Sequence, residues 1–518
     1  PPKVAAQQDL LVEQLKRIAI NADAINKAGG SLPPEVDAFM LGGLFSTLTN
    51  VNFDSSRFAD YIKHAGDLHE MTQNVALAAG ATGTTKAVGV KAYDDEQLGL
   101  LASRYSVLAR RDAVGDADLS SAIELGTYAL KGMAAYADHA AKLGVTDDSV
   151  HAFIHSALAK IARVESGAES ATMADMLQHV LDIGGKNVEV MAMLDSAHRT
   201  AFGTPTPRSV TTTPKEGKAI LVSGHDLADL QALLEQTKDT GIRVYTHGEM
   251  LPAHGYPELA KYRHLAGHYG TAWQLQQLEF NLFPGAIVVT TNCLMPPRRK
   301  YANRLFTTNA VGFDGIQHVP STDFTPRLIA PAPAMNVGYG HSAIVALAGT
   351  IKDLVEAGQI SRFFVIGGCD GSESERSYFT KLAKLTPADS VILTAGCGKY
   401  RLNTLPLGEL SETGLPRVLD LGQCNDSYGA VVVANTLKDA FGLDSINDLP
   451  LSISLSWLEQ KAVAVLASLL HLGIRNIRIG PSLPAFVTPA VLDVLVSDFG
   501  LKPIGKPEDD IAAMMRGE

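Results

Sequence analysis

Cysteine is scarce in this sequence. The 518 residues contain four cysteines, and none of them precedes Cys293. Four thiols in a chain of this length are too few for a fold held together by disulfides, so we expect them to be reduced. The paired C-x-x-C spacing of structural zinc sites is also absent from the sequence, which argues against a zinc-stabilised domain.

Long apolar runs and blocks of basic residues are absent as well. No run reaches the roughly 18 residues of a membrane-spanning helix, and the N-terminus lacks the basic and then apolar pattern of a secretion signal. The net charge is −11, which argues against nucleic acid or an anionic membrane as the main partner. We therefore expect a soluble protein of the cytoplasm, or of an organelle if a leader was removed, that acts on a small molecule or on another protein.

The first 200 or so residues carry helical patterns. A hydrophobic content of 46% suffices for two to four domains with cores of their own. Apolar residues recur at helical spacing, without a convincing strand, through 9–27, 34–48, 55–77, 96–109, 118–143, 146–164 and 173–199. The polar and proline-rich segment 203–217 is typical of a connector. These patterns predict an all-α helical-bundle domain over residues 1–216.

Strand and helix patterns alternate after the connector. The first series has strands at 218–223, 242–246 and 286–291, with helices at 226–236 and 257–281 and a less regular part to about 345. The second series has strands at 363–367, 391–394, 417–421, 451–455 and 476–479. Such alternation predicts parallel sheets covered by helices on both faces. We therefore expect an α/β multidomain protein, with two Rossmann-like domains at 217–345 and 346–518 and mainly parallel sheets.

Side chains that bind metals follow these predicted strands. The four cysteines, Cys293, Cys369, Cys397 and Cys424, each come just after a strand, and other strand ends carry His225, His247, Glu249, Glu459 and Lys461. Ligands of parallel sheets gather at the carboxyl ends of the strands. The shared placement predicts one buried site, and a mixed set of thiolate, imidazole and carboxylate suits a large or irregular iron–sulfur–oxygen cluster better than a cubane held by four thiolates.

Each candidate residue also has a plainer interpretation. A buried free cysteine usually serves as a small apolar side chain. Glu459 and Lys461, two residues apart, face a common site only at a strand-to-helix corner and are otherwise an exposed pair. The glycine-rich turn 367–371 is compatible with phosphate binding, but it lacks the endings of the nucleotide-binding motifs. A cysteine nucleophile with His225 or His247 as its base is a further alternative, which leaves three similarly placed thiols unexplained.

Several long motifs resemble those of the hybrid cluster protein (hydroxylamine reductase) family. They are SGHDL (223–227), YTHGEMLPAHGYPEL (245–259), TTNC (290–293), IGGCDG (366–371), CGKYRLN (397–403), LGQCNDSYGA (421–430) and SWLEQKAVAVL (456–466). The match is strong over 218–500, and STLTNVNFD (46–54) extends it into the helical part.

The resemblance implies a helical domain and two Rossmann-like domains that meet at a hybrid iron–sulfur–oxygen cluster of composition 4Fe-2O-2S. Its implied ligands are His225, Glu249, Cys293, Cys369, Cys397, Cys424 and Glu459. Lys461 is implied to lie beside the cluster, and Cys369 to carry an extra sulfur as a persulfide. His247 is then left out of the ligand set.

The implied reaction is the two-electron reduction of hydroxylamine to ammonia and water. Glu249, Glu459, His247 and Lys461 are the candidate proton donors. The same cluster would also serve nitric oxide reduction to nitrous oxide, or the transfer of nitrosyl groups to partner thiols. A redox protein is the expected electron donor, and the oligomeric state stays open.

Two departures from the family pattern stand out. The family begins with a cysteine-rich segment that holds a conventional iron–sulfur cluster, 4Fe-4S or 2Fe-2S, as the point where electrons arrive. This sequence has no cysteine before Cys293, so either that segment was removed or lies outside this numbering, or this variant lacks that cluster. The proline-rich stretch 323–338 also looks shorter than its counterpart in the family.

Overall fold

The computed structural model describes residues 2–85, 90, 93–213, 215–319, 335–410 and 415–518. The proline-rich stretch 323–338 lies almost entirely outside them, so its predicted difference is not described. None of the described helices is both long and apolar enough to cross a bilayer.

The described helices alternate with strands after residue 208. The helices are α1 (Pro2–Lys27), α2 (Pro34–Ser46), α3 (Ser55–Ala78), α4 (Asp95–Ser103), α5 (Val107–Val114), α6 (Ala117–Lys142), α7 (Asp148–Glu165), α8 (Met173–Phe202), α9 (Leu227–Thr237), α10 (Pro257–Ala260), α11 (Gln276–Leu282), α12 (Arg299–Ala302), α13 (His341–Val345), α14 (Ala348–Glu356), α15 (Ser377–Leu385), α16 (Tyr428–Phe441), α17 (Gln460–His471), α18 (Pro489–Ser497) and α19 (Pro507–Met515). The strands are β1 (Asn52–Phe53), β2 (Arg208–Val210), β3 (Ala219–Ser223), β4 (Arg243–His247), β5 (Leu265–His268), β6 (Ala286–Val289), β7 (Leu305–Thr307), β8 (Gly312–Phe313), β9 (Gln317–His318), β10 (Met335–Val337), β11 (Arg362–Gly368), β12 (Ser390–Thr394), β13 (Val418–Asp420), β14 (Leu451–Ser456), β15 (Ile477–Gly480) and β16 (Lys502–Pro503).

The helical part forms as predicted, with one break. The predicted helix 96–109 is two helices, α4 and α5. The side chain of Ser106 accepts a hydrogen bond from the backbone N–H of Ala109 and so starts α5 as its N-cap. A serine that caps a new helix favours an end of the helix before it. The apolar spacing does not contain this signal, so it predicted a single helix.

Two six-stranded parallel sheets confirm the predicted α/β architecture. The first has the order β5-β4-β3-β6-β7-β9 and the second has the order β13-β12-β11-β14-β15-β16. Numbered within each sheet, both orders read 3-2-1-4-5-6, the order of the Rossmann fold. The strand order therefore reverses between β3 and β6 in one sheet and between β11 and β14 in the other. Crevices that bind ligands form at such reversals, outside the carboxyl ends of the strands.

Two further predictions about secondary structure were wrong. The predicted helix 257–281 contains α10, strand β5 and α11, and β5 pairs with β4 at the edge of the first sheet. Residues 265–268 are too few for their periodicity to separate strand from helix, so pairing with a distant strand decided the outcome. Residues 1–216, predicted to be all-α, also contribute two short strands: β1 pairs in parallel with β8, and β2 pairs with β10 in antiparallel fashion.

Helix α17 joins the second α/β unit to the helical part. It follows β14 and packs against both α6 and α8, and its buried residues share one core with theirs. Two glycines allow the close approach: a Cβ on Gly132 would lie 2.5 Å from the carbonyl oxygen of Gln460, and one on Gly184 would lie 2.3 Å from that of Ala467. The start of α17 is therefore fixed by the helical part. The domain boundaries at 216 and 345 stay a prediction.

Candidate metal centre

Four of the seven predicted ligands follow the strands that flank the two reversals of strand order. His225 follows β3 and Cys293 follows β6, while Cys369 follows β11 and Glu459 follows β14. The remaining three come after neighbouring strands: Glu249 after β4, Cys397 after β12 and Cys424 after β13. All seven line one cavity with a volume of about 140 Å³. These strand ends therefore meet at one cavity, and the role of the seven residues as metal ligands stays a prediction.

His225, Glu249 and Cys424 form the tightest group. One ligand atom from each lies within 4.8 Å of the other two, and Nε2 of His225 is 3.8 Å from Oε2 of Glu249. Thr291 fixes the imidazole, because its Oγ1 accepts from the backbone N–H of His225 at 2.7 Å and lies 2.9 Å from Nδ1. The opposite ring nitrogen, Nε2, is thereby aimed at Glu249, which is the orientation that a metal ligand requires.

Within the described part of the chain, one oxygen of the Glu249 carboxylate is hydrogen-bonded and the other is not. Its Oε2 accepts a hydrogen bond from the backbone N–H of Cys424 at 3.0 Å. Its Oε1 is buried and has no hydrogen-bond partner among the described residues. A buried carboxylate oxygen without a partner is costly, and a bound cation would satisfy it.

The thiols approach one another at the ends of their strands. Cys397 is within hydrogen-bonding reach of Cys293, and its thiol also faces Glu249. The backbone N–H of Cys369 donates to the carbonyl of Ser456 at 2.8 Å, across the reversal between β11 and β14. Gly368 makes this crossing possible: its φ is +101°, and a Cβ there would lie 2.2 Å from the same carbonyl oxygen.

Burial favours the uncharged forms of three of the thiols and of both carboxylates in the cavity. It raises the pKa of Cys369 to about 12 and the pKa of Cys424 well above its ordinary value. The pKa of Cys397 is also raised well above the ordinary value, first by its hydrogen bond to Cys293 and then by burial. Burial raises the pKa values of Glu249 and Glu459 too. The charges of the protein itself do not produce thiolates at these three cysteines, whereas a bound metal cation would favour their deprotonation.

Glu459 and Lys461 are both buried at the start of α17. Glu459 lines the cavity, and its Oε2 caps α17 by accepting from the backbone N–H of Lys461 at 3.0 Å. The Lys461 side chain is fully buried, with Nζ 3.2 Å from Oδ1 of Asn292 and 3.4 Å from Oδ1 of Asn425. The exposed-pair interpretation of these two residues was wrong, because the helical part covers the start of α17.

His247 is placed away from the cavity. Its Nδ1 lies 2.9 Å from Oγ of Ser223, and its Nε2 is 2.9 Å from Oε2 of Glu279. It is not among the residues that line the cavity. Nδ1 therefore links the end of β4 to the end of β3, and Nε2 links it to α11, so both ring nitrogens are engaged. This geometry does not support the predicted proton-donor role of His247.

Sequence patterns missed several residues around the site. Lys399 is fully buried, and its Nζ donates to Oδ1 of Asp420 at 2.8 Å and to the carbonyl of Gly422 at 2.6 Å. Its positive charge lowers the pKa of Glu249 against the larger effect of burial. Tyr136, from α6, lines the cavity. Its place in a regular helical pattern gave no signal, whereas Lys399 lay within the CGKYR motif, two residues after a cysteine.

Comparison with known proteins supports the resemblance over the whole chain. The family profile for the Prismane/CO dehydrogenase family matches residues 1–512. The hydroxylamine reductase of Acidiphilium cryptum is 48% identical over 523 residues, which cover 98% of this chain and 92% of that protein. The hydroxylamine reductase of Rhodospirillum rubrum is 47% identical over 529 residues, which cover 99% of this chain and 95% of that protein.

Solved structures show the same fold at low identity. Carbon monoxide dehydrogenase IV from Carboxydothermus hydrogenoformans superposes with a TM-score of 0.56 and 16% identity, over 100% of this chain and 87% of that one. The alpha subunit of an acetyl-CoA synthase/carbon monoxide dehydrogenase gives a TM-score of 0.57 at 15% identity, over 99% of this chain and 82% of that one. With the profile match over residues 1–512 and relatives near 48% identity, the chain belongs to the Prismane/CO dehydrogenase family.

Proposed function

We propose that the chain is an iron–sulfur oxidoreductase that reduces hydroxylamine to ammonia and water. The observation that carries the proposal is the convergence of four thiols, one imidazole and two carboxylates on a single buried cavity. The names of the relatives at 47 to 48% identity support the same activity. The balanced reaction takes two electrons and two protons per hydroxylamine molecule.

The residues present fit a hybrid iron–sulfur–oxygen cluster. Soft thiolates favour iron–sulfur coordination, while an imidazole and carboxylates suit a harder iron that also binds oxygen. The unpartnered Oε1 of Glu249 is one donor atom that such a cluster would satisfy. In this proposal the cluster is of the 4Fe-2O-2S type, held by His225, Glu249, Cys293, Cys369, Cys397, Cys424 and Glu459, with the Cys369 sulfur as the position of the persulfide.

Bound iron would supply a Lewis acid for the substrate and a store for the two electrons. Lys461 places a buried ammonium group behind Cys424 and Glu459, and its positive charge lowers the pKa of both. This charge favours the ionised forms that bind iron. Glu459, Glu249 and Lys461 are the titratable groups at hand for proton delivery, because they lie at or beside the cavity, whereas His247 does not.

An iron and acid-labile sulfide count on anaerobically purified protein tests the cofactor. The hybrid cluster alone predicts about four irons per chain, and a second, cubane cluster would bring the count to about eight. Protein without iron and sulfide, or iron-loaded protein that keeps its iron when Cys397 is replaced by serine, would contradict the ligand set.

Anaerobic turnover with reduced methyl viologen tests the activity. We expect hydroxylamine to be reduced, and Glu249→Gln to lower the rate by about a hundredfold while most of the iron is kept, since loss of one metal ligand costs activity more than folding. Nitric oxide is assayed in parallel as the alternative substrate. Faster turnover of nitric oxide than of hydroxylamine, or nitrosyl transfer that survives Glu249→Gln, would overturn the substrate assignment.

A further inference from the structure

An apolar stripe lies on the surface above the candidate ligand Cys293. Leu275, Leu278 and Leu282 are 45%, 56% and 60% exposed, and their spacing of three and four residues places them on one face of α11 and the turn before it. Single exposed leucines are common, but three on one short face form a contiguous patch of the kind that marks a contact surface.

Consecutive basic residues border this stripe. Arg298, Arg299 and Lys300 are all exposed. They are tied to α11, because Gln277 donates to the carbonyl of Pro296 at 2.7 Å and accepts from Nε of Arg298 at 3.2 Å. In a chain whose net charge is −11, these three residues form a basic rim along one side of the apolar stripe. Such a surface complements an acidic partner with an apolar contact area.

The stripe is connected to the metal centre by a single buried side chain. Gln276 is fully buried between the exposed leucines and the cavity. Its Nε2 donates to the carbonyl of Cys293 at 2.9 Å, and its Oε1 accepts from the backbone N–H of Met295 at 2.9 Å. Trp273, two residues before Leu275, is partly exposed and lines the cavity. One residue, Gln276, therefore lies between a molecule bound to the stripe and the candidate iron ligand Cys293.

We propose that the leucine stripe and its basic rim dock an acidic, one-electron-carrying iron–sulfur protein of the ferredoxin type. The proposal rests on the proposed function, since it names the partner that supplies the reductase with electrons. Two reduced carriers each give up one electron, and these two electrons with two protons convert one hydroxylamine to ammonia and water. The apolar centre supplies contact area, and the basic rim speeds encounter with the acidic carrier.

Charge reversal at the rim is the first test, with a plant-type 2Fe-2S ferredoxin as the probe. The double variant Arg299→Glu, Lys300→Glu should lower kcat/KM for reduced ferredoxin by about tenfold at low ionic strength and weaken the salt dependence. Arg298 is left in place because it holds Gln277. The control, Lys381→Glu with Lys384→Glu, makes the same change of charge at two exposed lysines of α15 and should leave the rate as it is.

Turnover with reduced methyl viologen separates docking from chemistry. This small carrier needs no docking surface, so its rate should be the same in the wild type and in both charge variants. A ferredoxin rate that falls equally in the rim variant and the control, or a viologen rate that falls with the rim variant, overturns the proposal. Absence of viologen turnover in the wild type would instead refute the proposed function.

Direct binding tests the surface without turnover. Oxidised ferredoxin should bind the iron-loaded wild type in a calorimetric titration, and Leu278→Ser with Leu282→Ser should weaken the affinity by about tenfold. The matched control, Leu385→Ser with Leu472→Ser, changes two other leucines that are 41% and 38% exposed and should bind like the wild type. Equal affinities for both leucine variants would show that the carrier does not use the stripe.

Discussion

Gly132 lies on α6 in the helical part, and its substitution by alanine should disturb the metal centre through the contact between α6 and α17. An added Cβ would lie 2.5 Å from the carbonyl oxygen of Gln460 and 2.9 Å from Cβ of Ala464. Both neighbours belong to α17, whose N-cap is Glu459. Contacts of under about 3 Å are not sustained in packed interiors, so α17 must move away by about 0.5 Å or more.

The expected cost is set by two opposing effects. Overpacking of a buried interface costs about 1 to 3 kcal/mol, while glycine to alanine in a helix gains about 1 kcal/mol. A net loss of about 1 kcal/mol in the free energy of unfolding follows. Since groups at an active site must be held to within about 0.5 Å, displacement of Glu459 should lower hydroxylamine turnover by about tenfold, with iron content lowered or unchanged.

Gly126 provides the matched control on the same helix. A Cβ there would meet its nearest atom, Cδ1 of Ile161, at 3.5 Å, which is an ordinary contact. Gly126→Ala should therefore gain about 1 kcal/mol from helix propensity and keep full activity. Urea unfolding and anaerobic turnover of both variants check the pair. Equal stability changes, or full activity of the Gly132 variant, would refute the claim that α6 positions the start of α17.

Three further outcomes are expected. Glu165→Gln should cost about 3 kcal/mol in urea unfolding, because buried Lys16 and Arg110 lose a carboxylate at 2.6 and 3.0 Å, and a loss below about 1 kcal/mol would contradict this. Burial lowers the pKa of His254 from 6.5 to about 4, so between these pH values His254 binds a proton only in the unfolded chain. The free energy of unfolding should therefore fall by about 2 kcal/mol from pH 7 to pH 5. His254→Gln should remove that part of the pH dependence. Lys461→Met should lower iron affinity by about tenfold, because it removes the charge that lowers the pKa of Cys424 and Glu459; unchanged iron content across a chelator titration would show otherwise.

Much of the architecture was predictable because it is encoded locally. Apolar spacing in the first 200 residues gave the helices, and β-branched runs followed by small residues gave most strands of both sheets. The capping of α5 by Ser106 and the pairing of β5 with β4 were missed. Ser106 could either cap a new helix or continue the existing one, and apolar spacing does not distinguish these outcomes. Strand β5 has four residues, and its structure depends on pairing with a neighbouring strand.

The sequence alone determined which side chains stand at the carboxyl ends of the strands, since a cysteine or histidine that follows a strand must lie at that edge of a parallel sheet. Only the tertiary structure decided which of these side chains face the cavity. His225 lies two residues after β3 and His247 is the last residue of β4. Thr291 aims the first at Glu249, whereas Ser223 and Glu279 hold the second away from the cavity. The tertiary structure also decided that Lys461 is buried, because α6 and α8 cover the start of α17. Hydrogen-bond partners and burial are contributed by residues far apart in the chain, and for that reason the spacing of residues within one segment does not contain them.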